Sequence, residues 1–332
     1  MGEFDLIERY FKRPVRAAVL GVGDDCALLQ AGPGTQLAIS SDMLVEGRHF
    51  LSTVDPFKLG HKALAVNLSD LAACGAKPLA FTLALALPRA DEAWLEPFSR
   101  GLLALADAHG CELIGGDTTQ GPLNICVTVF GEVPVLAGRS QALLRSGAKV
   151  GDDIYVSGNV GDARLALEVF RGTLNVPGPV FAQARARMEQ PTPRVALGQA
   201  LRGVANAAID VSDGLLGDLG HILSQSGVGA CFETPFATDL IACRSNPAWS
   251  GCQSDLCLSD EHWLELVLAG GDDYELVFTA SASARAAVLE AARSSQTAVT
   301  RVGQIEAAPG LRLIDAAGQL MRRSYPSFDH FA

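Results

Sequence analysis

The sequence predicts a two-domain protein of mixed α/β and α+β type, and three observations predict it. The chain has 332 residues, more than one hydrophobic core ordinarily serves. Hydrophobic residues make up 48% of it and charged residues 19%, the balance of a globular protein with a large core. Short apolar runs alternate with helix-like segments along the whole length, as they do where strands and helices share layers.

In chain order, Val15 to Val22, Gln36 to Ser40, Leu79 to Leu87 and Asn124 to Val133 read as strands. Asp55-Pro56 offers an N-cap and a first-turn proline for a helix running to Gly75. A second helix spans Asp91 to Ala108. From Leu136 to Asp153 the chain turns polar and glycine-containing, which separates a domain of residues 1–137 from one of residues 138–332. Beyond it, Asp153 to Ser157 reads as a strand, Asp162 to Phe170 as a helix, and the stretch through Thr192 as polar connection. GLLGDLGHIL, after Asp213, reads as a helix; Leu266 to Leu268 and Glu275 to Thr279 read as strands, and Arg244 to Asp260 as a surface loop.

The formal net charge of −11 argues against a nucleic-acid or anionic-membrane partner. MGEFDLIERYF lacks the apolar core of a secretion signal, and Leu79 to Leu87 is too short to span a bilayer. Of the eight cysteines, Cys26, Cys74, Cys111 and Cys126 fall in apolar segments, where a reduced thiol is a small core residue. Cys243, Cys252 and Cys257 share a loop, but their spacing matches no zinc module. Free thiols and a cytoplasmic location are the expectation.

The chemistry concentrates where apolar runs end in knots of Gly, Ser and Asp. These are GVGDDCA (Gly21–Ala27), AISSDML (Ala38–Leu44), LIGGDTT (Leu113–Thr119), AIDVSDGL (Ala208–Leu215) and AGGDDYEL (Ala269–Leu276). A further carboxylate, Asp70, shares a helix face with Ala63, Asn67 and Cys74. One Gly-Asp knot is an ordinary turn or cap. Several gathered carboxylates repel one another unless cations hold them, and oxygen ligands select magnesium or calcium over zinc. The spacing is not that of an EF-hand loop. The chain also lacks a GxxxxGK(S/T) loop, the protein-kinase HRD and DFG set, and a convincing GxGxxG after a strand. Carboxylate–magnesium bridges are the remaining means of holding phosphate.

These motifs have a family resemblance. GVGDDCALL, SSDMLVEGRHFL, GHKALAVNLSDLAACGAKP, LIGGDTTQGPL, LLRSGAKVGDDIYVSG, AIDVSDGLLGDLGHI and AGGDDYEL resemble, in order, the motifs of bacterial thiamine-monophosphate kinase. The likeness runs from GEFDLIERYF to FDHFA. That family sits in a superfamily with aminoimidazole ribonucleotide synthetase, selenophosphate synthetase and a hydrogenase maturation factor. The resemblance implies the aminoimidazole ribonucleotide synthetase-like fold, with an N-terminal sheet domain that forms a homodimer and a C-terminal α+β domain. It implies phosphorylation of thiamine monophosphate to thiamine diphosphate, with ATP as co-substrate and several magnesium ions, and no side chain acting as nucleophile or general base.

Carried over by position, the implied metal ligands are Asp25, Ser40, Ser41, Asp42, Asp70, Asp117, Asp210 and Asp213. ATP would be met by Gly116, Asp117, Arg145 and Ser212, and the thiamine phosphate by His49, Asp272 and Phe328. Asp24 and Asp25 diverge in an extended backbone, so one of them faces the metals; the family pattern selects Asp25 and leaves Asp24 a turn or capping role. Two positions depart from the family. Asp272 stands where relatives often carry Glu, and Phe328 where many carry Tyr. Both fall in the implied substrate set. Two rivals remain: a superfamily enzyme with another acceptor, and a non-catalytic ATP or magnesium sensor. No cysteine precedes Cys26 to serve selenophosphate chemistry, and FDHFA carries no cysteine for the hydrogenase factor.

Overall fold

A computed structural model of the protein describes residues 2–249 and 258–326. The chain divides into two units, Met1–Leu71 with Ala76–Ala142, and Ala72–Gly75 with Leu143–Ala332.

The first unit runs α1 (Glu3–Tyr10), β1 (Ala18–Leu20), β2 (Leu28–Leu29), β3 (Thr35–Val45), α2 (Pro56–Ala73), β4 (Lys77–Leu87), α3 (Glu92–His109), β5 (Glu112–Gln120), β6 (Asn124–Leu136) and β7 (Arg139–Ser140). Its main sheet has the order β3-β6-β4-β5, with β7 paired to β6. β4 and β5 are parallel because α3 carries the chain back between them; the other pairs are antiparallel. α2 starts as the sequence predicts, with the Asp55 carboxylate accepting from the Phe57 amide at 2.8 Å. α3 begins with Asp91 accepting from Ala93 at 3.0 Å. The two helices cross at glycines. A Cβ on Gly60 would lie 2.0 Å from the Phe98 carbonyl oxygen, and one on Gly101 1.8 Å from that of Phe57.

Three strands differ from expectation. β3 does not stop at Ser40; Ser40, Ser41 and Asp42 pair with Val129, Thr128 and Val127 of β6. β5 likewise continues through Gly116 and Asp117. Ladder hydrogen bonds use the main chain, so a polar knot interrupts a strand only if its backbone must turn. β1 is shorter than Val15 to Val22, because the Arg16 and Ala17 amides donate to the Glu112 carboxylate at 2.7 and 2.8 Å instead of joining a ladder.

The second unit runs β8 (Asp152–Ser157), α4 (Asp162–Phe170), α5 (Gly178–Glu189), α6 (Val195–Ala200), β9 (Ala207–Asp210), α7 (Leu215–Ser226), β10 (Gly229–Glu233), α8 (Asp260–Ala269), β11 (Leu276–Ser281), α9 (Arg285–Ser294), β12 (Val299–Glu306) and β13 (Gly310–Ile314). The sheet order is β13-β10-β12-β8-β11-β9, and only β10 and β13 run parallel. Central β8 is buried at every residue, and its Ile154 and Val156 join Leu165, Leu219, Phe232 and Val277 in one core.

Leu266 to Leu268, expected as a strand, lies inside α8. Ser259 caps that helix, accepting from the His262 amide, and Trp263, Leu266 and Val267 form its buried stripe. A three-residue apolar run carries no period of its own. The polar stretch before Thr192 holds α5, whose Val180, Ala184 and Met188 recur every fourth residue and are buried. Residues 250–257, with Cys252 and Cys257, lie outside the described residues. Cys26, Cys74, Cys111, Cys126, Cys231 and Cys243 are free thiols. Among the described residues no helix is long and apolar enough to cross a membrane.

Candidate active site

In the first unit Ser40, Asp42 and Asp70 lie where β3 meets α2. The Ser40 hydroxyl donates to Asp70 Oδ2 at 2.5 Å. Two residues further along, the Asp42 amide donates to Asn67 Oδ1 at 3.0 Å, while Asn67 Nδ2 donates to the Ala63 carbonyl at 3.1 Å. Strand alternation puts the Ser40 and Asp42 side chains on the α2 side. It puts Ser41 on the other face, 2.9 Å from the Thr128 hydroxyl. β3 ends in a turn carrying half-buried His49, whose Nδ1 accepts from the Val45 amide at 3.0 Å. That bond leaves the proton of a neutral ring on Nε2, directed away from the turn.

Asp117 belongs elsewhere in the sheet. It pairs with Ala84 of β4, Ala84 with Cys126 of β6, and Cys126 with Met43 of β3. Its side chain therefore shares the face of Ser41 and Met43, opposite Asp42. The two aspartates stand on opposite edge strands, three strand spacings or roughly 14 Å apart. Gly116, at φ 146°, lets β5 close on β4; a Cβ there would stand 1.8 Å from the Leu83 carbonyl oxygen. Asp25 is exposed in the β1–β2 loop, and its amide donates to Asp24 Oδ1 at 2.8 Å, the turn geometry expected of Asp24.

In the second unit, the segment leaving β9 carries Asp210, Ser212 and Asp213. The loop before β11 clasps it, with Asp272 donating to the Ser212 carbonyl at 2.8 Å and Tyr274 to that of Val211 at 2.9 Å. The clasp is tight. Asp272 and Tyr274 adopt φ of 70° and 54°, and a Cβ on Gly271 would lie 2.3 Å from the Ser212 carbonyl oxygen. Arg145 is exposed. Phe328 lies outside the described residues.

Sequence reasoning gave no role to three carboxylates behind this loop. Asp218 accepts from the Ser212, Asp213 and Gly214 amides, and burial, reinforced by the Asp213 charge, pushes its pKa up to about 7. Fully buried Glu275 accepts from Arg194 Nε at 2.6 Å, Arg187 Nη2 at 2.9 Å and the Ser157 hydroxyl at 2.6 Å. Asp273 accepts from the Gly161 amide at 2.8 Å, and among the described residues its other oxygen has no hydrogen-bond partner. Burial raises the Asp273 pKa well above the carboxylate range, with Asp162 and Glu275 adding to the effect. The available signals were Asp218 in the first turn of a predicted helix and Glu275 inside an acidic knot.

Every implied metal ligand offers oxygen, the donor set of a hard cation, and Ser40 with Asp70 already brings two such donors together. The set is dispersed over three places in the first unit and one in the second. Among the described residues no three His, Cys, Asp or Glu side chains are gathered as a metal group.

Residues 23–133 match the family model of the AIR synthase related protein N-terminal domain, and residues 149–316 that of its C-terminal domain. The thiamine-monophosphate kinase of Salmonella typhimurium is 46% identical over 337 residues, covering 100% of this chain and 98% of the relative. The crystal structure of the thiamine-monophosphate kinase of Stenotrophomonas maltophilia superposes with a TM-score of 0.79 at 45% identity, covering 92% of each chain. AaThiL complexed with AMPPCP and TMP superposes at 0.74 and 27% identity, covering 91% of this chain and 89% of that one. The chain belongs to the AIR synthase related proteins and, within them, to the thiamine-monophosphate kinase family. It is an enzyme, a kinase.

Proposed function

We propose that this kinase transfers the terminal phosphoryl group of ATP to thiamine monophosphate, giving thiamine diphosphate and ADP by direct in-line displacement. The observation that carries the reading is full-length likeness to thiamine-monophosphate kinases, spanning both family domains, with their acidic motifs in order. The physical difficulty is charge. Two unit charges about 4 Å apart repel by roughly 4 kcal/mol at an effective dielectric of 20, and an anionic phosphate beside a triphosphate multiplies such pairs.

Magnesium ions held by Asp25, Ser40, Ser41, Asp42, Asp70, Asp117, Asp210 and Asp213 would supply the compensating positive charge. Arg145 and Ser212 bind ATP together with Gly116 and Asp117; His49, Asp272 and Phe328 bind thiamine monophosphate. A phosphate monoester has its second pKa near 6, so the acceptor oxygen is already ionised at neutral pH. The aspartates then serve as ligands and accept no proton.

The protein works as a homodimer in the cytoplasm on this reading. Support for the dimer lies on the outer face of the first unit's sheet, where Leu37, Ile39 and Met43 are exposed at 42%, 60% and 52% on edge strand β3. Within one sheet Asp117 lies on the face and edge opposite Asp42, so a site that draws on Asp42, Asp70 and Asp117 together needs Asp117 from a second protomer. We therefore assign each site Asp42 and Asp70 from one protomer and Asp117 from the other.

Incubating the full-length protein with ATP, magnesium and thiamine monophosphate is expected to yield thiamine diphosphate and ADP in equal amounts. ADP without thiamine diphosphate would leave only an ATPase and refute the acceptor. His49→Ala is expected to raise KM for thiamine monophosphate about tenfold, the cost of one hydrogen bond, with KM for ATP changed less than twofold. Equal rises for both substrates would remove His49 from the acceptor site.

A further inference from the structure

The turn from β9 into α7 has the form of an anion cradle. Gly214 adopts φ 127°, and the three successive amides of Ser212, Asp213 and Gly214 converge at the N-terminus of a twelve-residue helix. In phosphate-binding turns such amides point at the ligand. Here they point at the protein itself. Asp218 Oδ2 accepts from them at 3.1, 3.1 and 3.2 Å, and Asp218 returns its own amide to the Gly214 carbonyl at 2.9 Å. Asp218 is 2% exposed, so bulk water cannot substitute for it.

The carbonyl side of the same segment is held independently. Val211 and Ser212 accept from Tyr274 and Asp272, and the Val211 amide donates to the Glu275 carbonyl at 2.7 Å. With the Ser212, Asp213 and Gly214 amides on Asp218 and the Val211 and Ser212 carbonyls on the strained loop, the main chain on either side of Asp213 is held from two directions. Only the side chains of Ser212 and Asp213 face outward, both half-exposed.

We infer that Asp218 is a positioning residue: it fills the amide cradle at the head of α7 and so fixes the direction in which Asp213 and Ser212 meet magnesium and ATP. This rests on the proposed function for those two residues. Phosphate then meets this segment through side chains, since the amides that would otherwise bind it are occupied. An isolated cradle of this kind tolerates exchange of one anion for another; this one is closed by its own helix, which gives Asp213 a single orientation.

The test uses the full chain with Asp218→Asn, which preserves shape, and Asp218→Ala, which removes the acceptor. Amide hydrogen exchange is read at residues 212–214 with no substrate or metal present. In Asp218→Ala, loss of an acceptor shared by three donors should speed exchange there at least roughly tenfold, with β11 and β12 unchanged and Asp218→Asn, whose side-chain oxygen still accepts, affected less. In the assay, the magnesium concentration for half-maximal rate should rise about tenfold while KM for thiamine monophosphate moves less than twofold. Adding Asp218→Ala to Asp213→Asn should cost little more than Asp213→Asn alone, because the group being positioned is already gone.

Unchanged exchange at residues 212–214 in Asp218→Ala overturns the inference even if the enzyme is impaired. So does full additivity with Asp213→Asn. Faster exchange in a protein that makes no thiamine diphosphate would instead uphold the positioning and refute the proposed reaction. If Asp218→Ala does not fold, Asp218→Ser, whose hydroxyl is too short to span the three amides, decides.

Discussion

Asp42→Asn and Asp117→Asn should each reduce phosphoryl transfer by at least roughly a hundredfold, the upper end of what changes just outside a metal's own ligands cost, without unfolding the protein. Each removes one anionic oxygen while keeping side-chain size. The larger expectation concerns their mixture. Asp42 and Asp117 project from opposite faces and opposite edges of one sheet, so each proposed site draws them from different protomers. Co-refolded subunits of the two inactive variants should regain roughly a quarter of the wild-type rate, since half the dimers are mixed and each carries one intact site of two. The recovered rate is measured as thiamine diphosphate formed per subunit against the separately refolded variants. A mixture as inactive as its parts would place both aspartates in one protomer's site. Near-normal activity in either single variant at limiting magnesium would remove that residue from the ligand set.

Glu275→Gln should destabilise the second unit by about 3 kcal/mol, the lower end for breaking a buried ion pair. Glu275 is fully buried and receives Arg187 and Arg194, whose side chains keep 21% and 17% exposure. Removing the anion leaves two guanidiniums facing each other in a poorly hydrated place. The partial exposure of the arginines is the reason for the lower end. For a unit of this size the melting temperature should fall by roughly 6–12 °C, read by calorimetry.

Asp273, in the same loop, should behave oppositely. Its folded pKa is raised above the unfolded value of about 3.9. Ionising it in the native state therefore costs stability, and the cost grows as pH climbs from the unfolded toward the folded pKa. Asp273→Asn keeps an acceptor for the Gly161 amide and cannot ionise. It should match the wild type near pH 4 and exceed it in stability at pH 8. A variant less stable than the wild type at pH 8 would show Asp273 to be a paired anion. The contrast between neighbours follows from partners: Glu275 holds two arginines, while Asp273 has one amide and two acidic neighbours, and the Arg187 charge that also reaches it does not offset its burial.

The proposed location of the chemistry comes from residue types. Glycines and aspartates recurring after apolar runs, without any of the common phosphate loops, pointed to oxygen-ligated cations, and the family motifs assigned individual positions. Helix starts were legible where a side chain does the capping, at Asp55 and Asp91, because a cap is a contact over two or three residues. The sequence misled where an element's type depends on its neighbours. Leu266 to Leu268 is equally apolar in a strand or a helix, and only the stripe with Trp263 settles it. The knots at Ser40–Asp42 and Gly115–Asp117 resemble strand ends, yet partner strands on one side or the other continue the ladder through them.

By itself, then, the sequence determined the family, the mixed architecture and the inventory of acidic and phosphate-facing residues, since these depend on composition and short-range order. Only the tertiary structure decided which faces those residues occupy. Ser40 meets Asp70 across 30 residues of chain, and Asp42 and Asp117 are separated by a sheet whose strand order no local pattern specifies. Asp218, Asp273 and Glu275 look like any other acidic residues in the chain. The raised pKa values of Asp218 and Asp273, the arginines on Glu275 and the hold of Asp218 on the Ser212–Gly214 amides arise from burial and from partners brought together by the fold, because desolvation and directional hydrogen bonds exist only once the chain has closed around them.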